Sequence, residues 1–265
     1  MQVTKQPAKT IHSILCLIMI VLLSACATQH HGNKQSVYLE SKTPMQDVQN
    51  ALVKAANNDR LLLIVMGAQW CHDSRGLAEN FAKSELASII TQHYELIYID
   101  VGYYKDLREI SSRFGQAHYF ATPTVMVIDP VSETLLNAKD LAIWGSADSV
   151  PFNTYLEYFE RYAKLDSVNL PKADANILAE HILTILDFES RQAERLQYAY
   201  GILVPDMIRE DLSGQINDEF TKRWIAVRDY RMQLQKDILS LYQQAIDSPN
   251  AELLLPDYLP FDWEK

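Results

Sequence analysis

Three cysteines, Cys16, Cys26 and Cys71, are the residues of this 265-residue chain with the clearest capacity for chemistry. So few thiols in a chain of this length do not make a disulfide framework, so any sulfur chemistry must come from single thiols. Cys71 stands in the segment Trp70-Cys71-His72-Asp73-Ser74, where a serine follows the cysteine at the third position. A thiol at the start of a helix is a candidate nucleophile. The elements around Cys71 therefore decide what it can do.

Cys26 ends an amino-terminal segment typical of exported bacterial proteins. Two lysines precede an apolar run from Ile11 to Leu23, which is shorter than the roughly 20 residues that a membrane-spanning helix needs. The run ends in Leu23-Ser24-Ala25-Cys26, which resembles a bacterial lipobox. This resemblance implies removal of residues 1–25 and lipidation of Cys26, and several acyl chains together anchor a protein stably. Ordinary secretion, with Cys26 as a spare thiol, is the alternative.

The predicted anchor also predicts a location. We expect the protein in the bacterial cell envelope, attached to the membrane through Cys26 and facing the periplasm. Ala27 follows the cysteine, and the absence of aspartate at this position favours the outer membrane. Residues 26–43 are mostly polar and cannot bury enough apolar surface to fold, so they are predicted to form a flexible tether. His30-His31 within them lack the further ligands that a metal site needs.

The composition excludes several classes of protein. Hydrophobic residues make up 48% and charged residues 22% of the chain, as in ordinary globular proteins. The formal net charge of −10 and the absence of clustered Lys and Arg argue against nucleic acid as a partner. The sequence contains no P-loop, no G-x-S-x-G motif and no cluster of metal ligands, so we expect no cofactor and no metal. Nothing in it specifies the oligomeric state.

Residues 44–164 alternate between helical and strand patterns, which predicts an α/β domain with a mixed sheet covered on both sides. Leu61–Met66 is continuously apolar, as in a strand buried on both faces. Because Gly67-Ala68-Gln69 interrupts it, Cys71 lies at a strand-to-helix junction. The predicted elements are helix Pro44–Asn58, strand Leu61–Met66, helix Cys71–Lys83, strand Glu95–Val101, helix Lys105–Phe114, strand Thr124–Ile128, a weak strand Leu135–Trp144 and helix Phe152–Tyr162.

The remaining residues, 165–265, are predicted to form an all-helical extension. Apolar residues recur there every three or four positions, which is the spacing of an amphipathic helix. The two predicted helices are Asn176–Tyr200 and Ile216–Ile246, followed by an extended tail at Leu253–Trp263. Their apolar stripes are expected to pack as core, because packing within the protein is the commoner fate of such a stripe.

This order of elements resembles the thioredoxin superfamily over roughly 120 residues. The motifs that carry the resemblance are Trp70-Cys71-His72-Asp73-Ser74 at the junction and Thr122-Pro123-Thr124 before a later strand. The resemblance implies that Cys71 is the nucleophile and that Pro123 is a cis proline beside it. It also implies that the backbone of Thr122 meets a substrate peptide.

The helix that follows Cys71 has free N–H groups and a partial positive charge at its amino terminus, which favour the thiolate. Ser74, three positions on, could donate a hydrogen bond to the sulfur. Asp73 opposes the thiolate through its negative charge, which His72 can offset, so the sequence leaves the net effect open. Trp70 is expected to shield one side of the sulfur. The candidate catalytic residues are therefore Cys71, Ser74, Trp70 and His72, and the candidate substrate-binding residues are Thr122 and Pro123.

Two departures from the thioredoxin pattern limit the chemistry. Ser74 stands where a dithiol thioredoxin has its second cysteine, and Val65 stands where it has a buried aspartate. With Cys16 removed and Cys26 acylated, Cys71 is the one free thiol expected in the mature protein. The prediction is a monothiol that exchanges with protein or low-molecular-weight thiols and disulfides. The alternative is a thioredoxin-fold binding or assembly module of the cell envelope without catalysis.

Overall fold

A mixed sheet of four strands organises the part of the chain that the structure describes. The structure is a computed structural model, and it describes residues 36–164, 175–215 and 217–265. The predicted signal peptide, Cys26 and the tether as far as residue 35 lie outside the described residues. The predicted tether is wrong from residue 37 to residue 43, because Tyr38 is buried there and its hydroxyl donates a hydrogen bond to the carbonyl of Ser74. Residues Val37–Lys265 form one compact unit.

The elements follow one another along the chain in this order. They are α1 (Pro44–Asn57), β1 (Leu61–Gly67), α2 (His72–Phe81), α3 (Ser84–His93), β2 (Tyr94–Asp100), α4 (Arg108–Arg113), β3 (Thr124–Asp129), β4 (Thr134–Leu135), a 3₁₀ segment (Ala138–Ser149), α5 (Phe152–Ala163), α6 (Ala175–Ser213), α7 (Asp218–Asp247) and a short 3₁₀ turn (Asp262–Glu264).

Strand β1 lies at the centre of the sheet. The strand order is β2-β1-β3-β4, with β1 parallel to β2 and antiparallel to β3. In the antiparallel pair Met66 lies opposite Thr124. The end of β1 and the beginning of β3 therefore meet at the same edge of the sheet, which brings the segment after β1 close to the segment before β3.

The alternation of side chains along β1 divides the core into two layers. Leu62, Ile64 and Met66 face one layer, and Leu63 and Val65 face the other, and all five are fully buried. Helices α2, α3 and α5 cover the second layer, whereas α1, α4 and the two carboxyl-terminal helices contribute to the first. The mixed sheet with helices on both sides confirms the predicted fold class.

Helices α6 and α7 pack against each other and confirm the predicted helical extension. Their fully buried residues recur at helical spacing and belong to the same apolar cluster as the first face of β1. Helix α6 runs to Ser213, beyond the predicted end at Tyr200. Helix α7 begins at Asp218, and the side chain of Asn217 caps it by accepting a hydrogen bond of 2.6 Å from the N–H of Phe220.

The predicted strand at Leu135–Trp144 is wrong, because only Thr134–Leu135 pair with β3 and a 3₁₀ segment follows from Ala138. The side chain of Asn137 explains the change. Its Oδ1 accepts a hydrogen bond from the N–H of Val127 at 2.8 Å, and its Nδ2 donates one to the carbonyl of Val125 at 2.8 Å. One amide thus bonds to the edge of β3 as a longer strand would, and the chain is free to turn away.

The predicted helix Cys71–Lys83 is shorter in the structure, where α2 ends at Phe81 and a separate helix α3 follows. Lys83 has an extended backbone conformation between the two helices. The inner side of α3 is formed by Leu86 and Ile90, which are buried against the second layer. The sequence analysis assigned no element to this segment, although Leu86, Ile89 and Ile90 have the i, i+3, i+4 spacing of an amphipathic helix.

The predicted extended tail is confirmed over residues 252–261, which lie in no helix or strand, and a 3₁₀ turn closes the tail at Asp262–Glu264. Arg195 of α6 holds it by donating to the carbonyl of Leu259 at 2.7 Å and to the carboxylate of Glu264. Within the described ranges, no helix is both long enough and apolar enough to cross a membrane.

Glu189 is a buried carboxyl between the two carboxyl-terminal helices. It lies on α6 with 4% of its surface exposed, its Oε1 has no hydrogen-bond partner, and Tyr242 of α7 contacts the carboxyl group. Burial disfavours the charged form and raises the pKa of Glu189 from 4.5 to about 7. Between pH 4.5 and about pH 7, Glu189 is protonated in the folded protein and deprotonated in the unfolded chain. The free energy of unfolding therefore falls as the pH rises through this range.

We expect Glu189→Gln to remove this loss of stability. In the unchanged protein, the free energy of unfolding should fall by on the order of 2–3 kcal/mol between pH 4.5 and pH 7.5 from Glu189 alone. Urea denaturation of both proteins across this range measures it, and Glu180→Gln on the exposed side of α6 is the matched control. An equal pH dependence of stability in Glu189→Gln and the unchanged protein would contradict the assignment.

Candidate functional site around Cys71

Cys71 is the residue that immediately precedes α2. After β1 ends at Gly67, the chain turns, and the N–H of Cys71 donates to the carbonyl of Ala68 at 3.2 Å. The carbonyl of Cys71 then accepts the first helical hydrogen bond, from the N–H of Arg75 at 3.1 Å. The side chain makes no capping hydrogen bond with the helix and is 8% exposed. The thiol is therefore placed at a helix amino terminus, as predicted.

The thiol of Cys71 faces the loop before β3. It donates a hydrogen bond to the carbonyl of Thr122, with 3.0 Å between sulfur and oxygen, and only the protonated thiol can make this contact. The peptide bond between Thr122 and Pro123 is cis. The predicted cis bond and the predicted proximity of this loop to Cys71 are both confirmed.

Ser74 has a different partner from the one expected. It is fully buried on the first turn of α2, and its Oγ accepts a hydrogen bond from the N–H of Ala68 at 3.3 Å. Ala68 follows the last residue of β1, so its N–H makes no hydrogen bond between strands. It donates to the Ser74 hydroxyl instead. The hydroxyl of Tyr38 donates to the carbonyl of Ser74 at 3.0 Å. Ser74 thus joins α2 to the end of β1 rather than bonding to the Cys71 sulfur.

The charged neighbours of Cys71 in sequence point away from the sulfur. His72 is 69% exposed, and its Nε2 lies 3.4 Å from Oδ2 of Asp73. The other oxygen of Asp73 accepts a hydrogen bond of 3.0 Å from the N–H of Asp148, which joins α2 to the 3₁₀ segment. Arg75 donates to the carbonyls of Gln69 and Trp70 at 2.7 and 3.0 Å. These side chains hold the turn in place.

Trp70 packs against the carboxyl-terminal helices. Its Nε1 donates to the carbonyl of Gly102 at 2.7 Å, so the loop after β2 fixes the indole. The ring lies edge-on to Tyr104 at 5.2 Å and to Trp224 of α7 at 6.1 Å between centroids. One side of the Cys71 region is therefore covered by an aromatic cluster to which α7 contributes.

Two residues near Cys71 escaped the sequence analysis, Tyr104 and Arg231. Tyr104 is buried with a backbone φ of 54°, a conformation that few residues other than glycine adopt, and its ring stacks on Tyr200 of α6 at 3.8 Å. Arg231 of α7 is 8% exposed, and its Nη1 lies 3.5 Å from the Tyr104 hydroxyl. No local motif could have indicated the contact, because 127 positions separate the two residues.

A family model covers the part of the chain that contains Cys71. The family model of thioredoxin-like proteins matches residues 43–130, which include Cys71, Thr122 and Pro123. This segment is a thioredoxin-like domain. A solved structure of a disulphide isomerase from Xylella fastidiosa Temecula1 is similar at 23% identity and a TM-score of 0.44, covering 48% of this chain and 96% of that one. No curated protein matches the chain.

Within residues 36–164, 175–215 and 217–265, no three His, Cys, Asp or Glu side chains lie close enough to hold a metal ion. The chemically distinctive group of the domain is therefore the thiol of Cys71, at the junction of β1 and α2.

We expect Ser74→Ala to destabilise the thioredoxin-like domain by about 1–3 kcal/mol, because the buried N–H of Ala68 would lose its hydrogen-bond partner. Urea denaturation measures the loss. The matched control is Ser112→Ala on the exposed side of α4, which should change stability by less than about 0.5 kcal/mol. An unchanged stability of Ser74→Ala would show that the hydroxyl does not serve the Ala68 N–H.

Proposed function

We propose that this protein is a lipid-anchored monothiol of the bacterial cell envelope that exchanges disulfides through Cys71. The observation that carries the proposal is the hydrogen bond of 3.0 Å between the Cys71 thiol and the Thr122 carbonyl, at the start of α2 and beside the cis bond to Pro123. The thioredoxin-like fold supports an oxidoreductase-like function of this kind. A helix amino terminus next to the thiol favours the thiolate that such chemistry requires.

The exchange begins when the Cys71 thiol loses its proton to solvent. The thiolate attacks one sulfur of a disulfide, the S–S bond of the substrate breaks, and its second sulfur leaves as a thiolate. The product is a mixed disulfide between Cys71 and the substrate, with the number of disulfide bonds unchanged. In this step Cys71 is oxidised to the disulfide level and one substrate sulfur is reduced to a thiolate, so the electrons balance.

Release depends on a second thiol from outside the chain, because the third position after Cys71 is occupied by Ser74. A protein thiol or a low-molecular-weight thiol, as its thiolate, attacks the mixed disulfide and expels Cys71 as a thiolate, which completes the cycle. When the attacking thiol belongs to the bound substrate, the net reaction is isomerisation of its disulfides. When the thiol is a separate molecule, the substrate leaves with one sulfur as a thiolate and the other in a mixed disulfide with that molecule.

The membrane part of the proposal is supported by the sequence of the amino terminus. Leu23-Ser24-Ala25-Cys26 after a short apolar run favours cleavage before Cys26 and its lipidation. Ala27 favours the outer membrane, with the folded part facing the periplasm. The polar residues from Cys26 up to the buried Tyr38 then provide a tether between the lipid and the thioredoxin-like domain.

A second candidate function is a binding or assembly module without turnover. The observation that favours it is the cover over the site, where Cys71 is 8% exposed and Trp70 packs against Trp224. In that case the thiol would react with iodoacetamide only after the protein is unfolded. A monothiol in exchange must react in the folded protein.

Replacing Cys26 with Ser tests the location. We expect Cys26→Ser to leave the precursor uncleaved or to move the protein out of the lipid-anchored fraction, since the thioether that carries the lipid cannot form. Fractionation of cells and the mass of the mature chain measure both effects. Cys71→Ser is the matched control and should fractionate like the unchanged protein. Normal maturation and fractionation of Cys26→Ser would exclude lipidation at this residue.

Trapping mixed disulfides in cells tests the chemistry. After rapid acid quenching and alkylation of free thiols, we expect reducible adducts on the full chain, mapped to Cys71 by mass spectrometry. Cys71→Ser should carry none of these adducts.

Ser74→Cys adds a sharper control to the trapping experiment. A thiol three positions along the helix lies on the same side as Cys71 and can attack the mixed disulfide. The trapped adducts should therefore decrease several-fold, with an internal disulfide in their place. Adducts that persist in Cys71→Ser, or their absence from the unchanged protein, would overturn the proposed exchange.

A further inference from the structure

Arg231 is a buried positive charge without a negative partner. It lies on α7 with 8% of its surface exposed, and its Nε has no hydrogen-bond partner. Among the ion pairs of the described residues, none includes Arg231, whereas its neighbour on the helix, the exposed Arg228, pairs with Asp229 at 2.8 Å. A buried cation is costly unless an anion compensates it. The groups around Arg231 must therefore supply one.

Three groups that can become anions lie around the guanidinium. The hydroxyl of Tyr104 is 3.5 Å from Nη1, and the hydroxyl of Tyr200 forms a hydrogen bond with the same side chain. The sulfur of Cys71 interacts electrostatically with both Arg231 and Tyr104. Burial raises the pKa of both tyrosines above the ordinary value of 10, and a thiol is ordinarily more acidic than a phenol. Burial thus disfavours both phenolates, which leaves the sulfur of Cys71 as the candidate anion.

A chain of contacts connects the guanidinium to the sulfur. The Tyr104 hydroxyl interacts with the side chain of Thr122, and the carbonyl of Thr122 accepts the hydrogen bond of the Cys71 thiol at 3.0 Å. Arg231, Tyr104, Thr122 and Cys71 therefore occupy one buried cluster in which each member contacts the next. The cluster combines the loop after β2, the loop before β3, the start of α2 and the middle of α7.

We infer that Arg231 is a positioning residue that supplies the counter-charge of the Cys71 thiolate. Loss of the thiol proton creates an anion in the cluster, and the buried guanidinium gains the partner it lacks. The carboxyl-terminal helices would then serve the chemistry of the thioredoxin-like domain as well as its packing. The inference deepens the proposed function. It rests on that function only for the disulfide substrate that the Cys71 thiolate attacks.

The other charged or titratable groups in this region do not replace Arg231. Tyr38 interacts with Cys71 from the segment before α1, and burial raises the pKa of its hydroxyl far above 10. On α2 itself, Asp73 is engaged by the N–H of Asp148, and His72 extends into solvent beside it. His118 packs 5.5 Å from the Tyr200 ring, and burial lowers its pKa because it disfavours the charged imidazolium. Arg231 is thus the buried cation of this cluster.

The rate at which iodoacetamide alkylates Cys71 tests the inference directly. The full chain is labelled in detergent, and the Cys71 peptide is quantified by mass spectrometry so that Cys16 and Cys26 do not contribute. We use Arg231→Met, because replacing a buried charge with an apolar side chain of similar length is often neutral or stabilising for the fold. Circular dichroism and urea denaturation verify folding.

At pH 7 we expect alkylation of Cys71 in Arg231→Met to be at least about tenfold slower than in the unchanged protein, since less of the thiol is ionised. Above about pH 10 the two rates should converge, because the thiol is then ionised in both proteins. Arg231→Lys, which keeps the charge, should stay within about threefold of the unchanged protein at pH 7. Arg228→Met, on the exposed side of α7, should leave the rate unchanged.

Equal rates at pH 7 for Arg231→Met and the unchanged protein would overturn the inference. A loss in Arg231→Lys as large as that in Arg231→Met would also overturn it, because the shape of arginine and not its charge would then matter. The assay needs no disulfide, so a failure of the proposed exchange is separate from a failure of Arg231. If cells contain no mixed disulfides on Cys71 but alkylation is slower in Arg231→Met, the proposed exchange is contradicted and the inference about Arg231 stands.

Discussion

The antiparallel pairing of β1 with β3 is the constraint on which the Cys71 region depends. With Met66 opposite Thr124, the chain that leaves β1 and the chain that enters β3 meet at one edge of the sheet. That edge places the Cys71 thiol 3.0 Å from the Thr122 carbonyl, although 51 positions separate the two residues. A shift of the pairing by one residue would turn every side chain of β1 to the opposite face. The two-layer core and the site therefore depend on the same register.

The two carboxyl-terminal helices pack directly against residues next to the Cys71 region. Tyr200 of α6 stacks on Tyr104, and Trp224 of α7 packs against Trp70, so both helices touch residues adjacent to the site. The same helices complete the apolar layer on the first face of β1. The extension therefore packs against residues that flank Cys71.

Local patterns in the sequence predicted the strands and the thiol position well, and contacts between distant residues account for what was missed. The continuous apolar run at Leu61–Met66 and the break after it were sufficient to place Cys71 at a strand-to-helix junction. The strand expected after Leu135 is replaced by a 3₁₀ segment because the side chain of Asn137 takes over the hydrogen bonds of the β3 edge. The sequence did not indicate that Arg231 lies near Cys71, because its partner Tyr104 is 127 positions away along the chain.

The reaction of the folded protein with oxidised glutathione measures the central claim, turnover at Cys71, most directly. Mass spectrometry of the intact protein and of its peptides follows the adduct. The account predicts one glutathione on Cys71, formed without denaturant and removed again by an excess of reduced glutathione, which supplies the second thiol. A Cys71 that gains glutathione only after unfolding, or that keeps it in excess reduced glutathione, would contradict a monothiol that turns over.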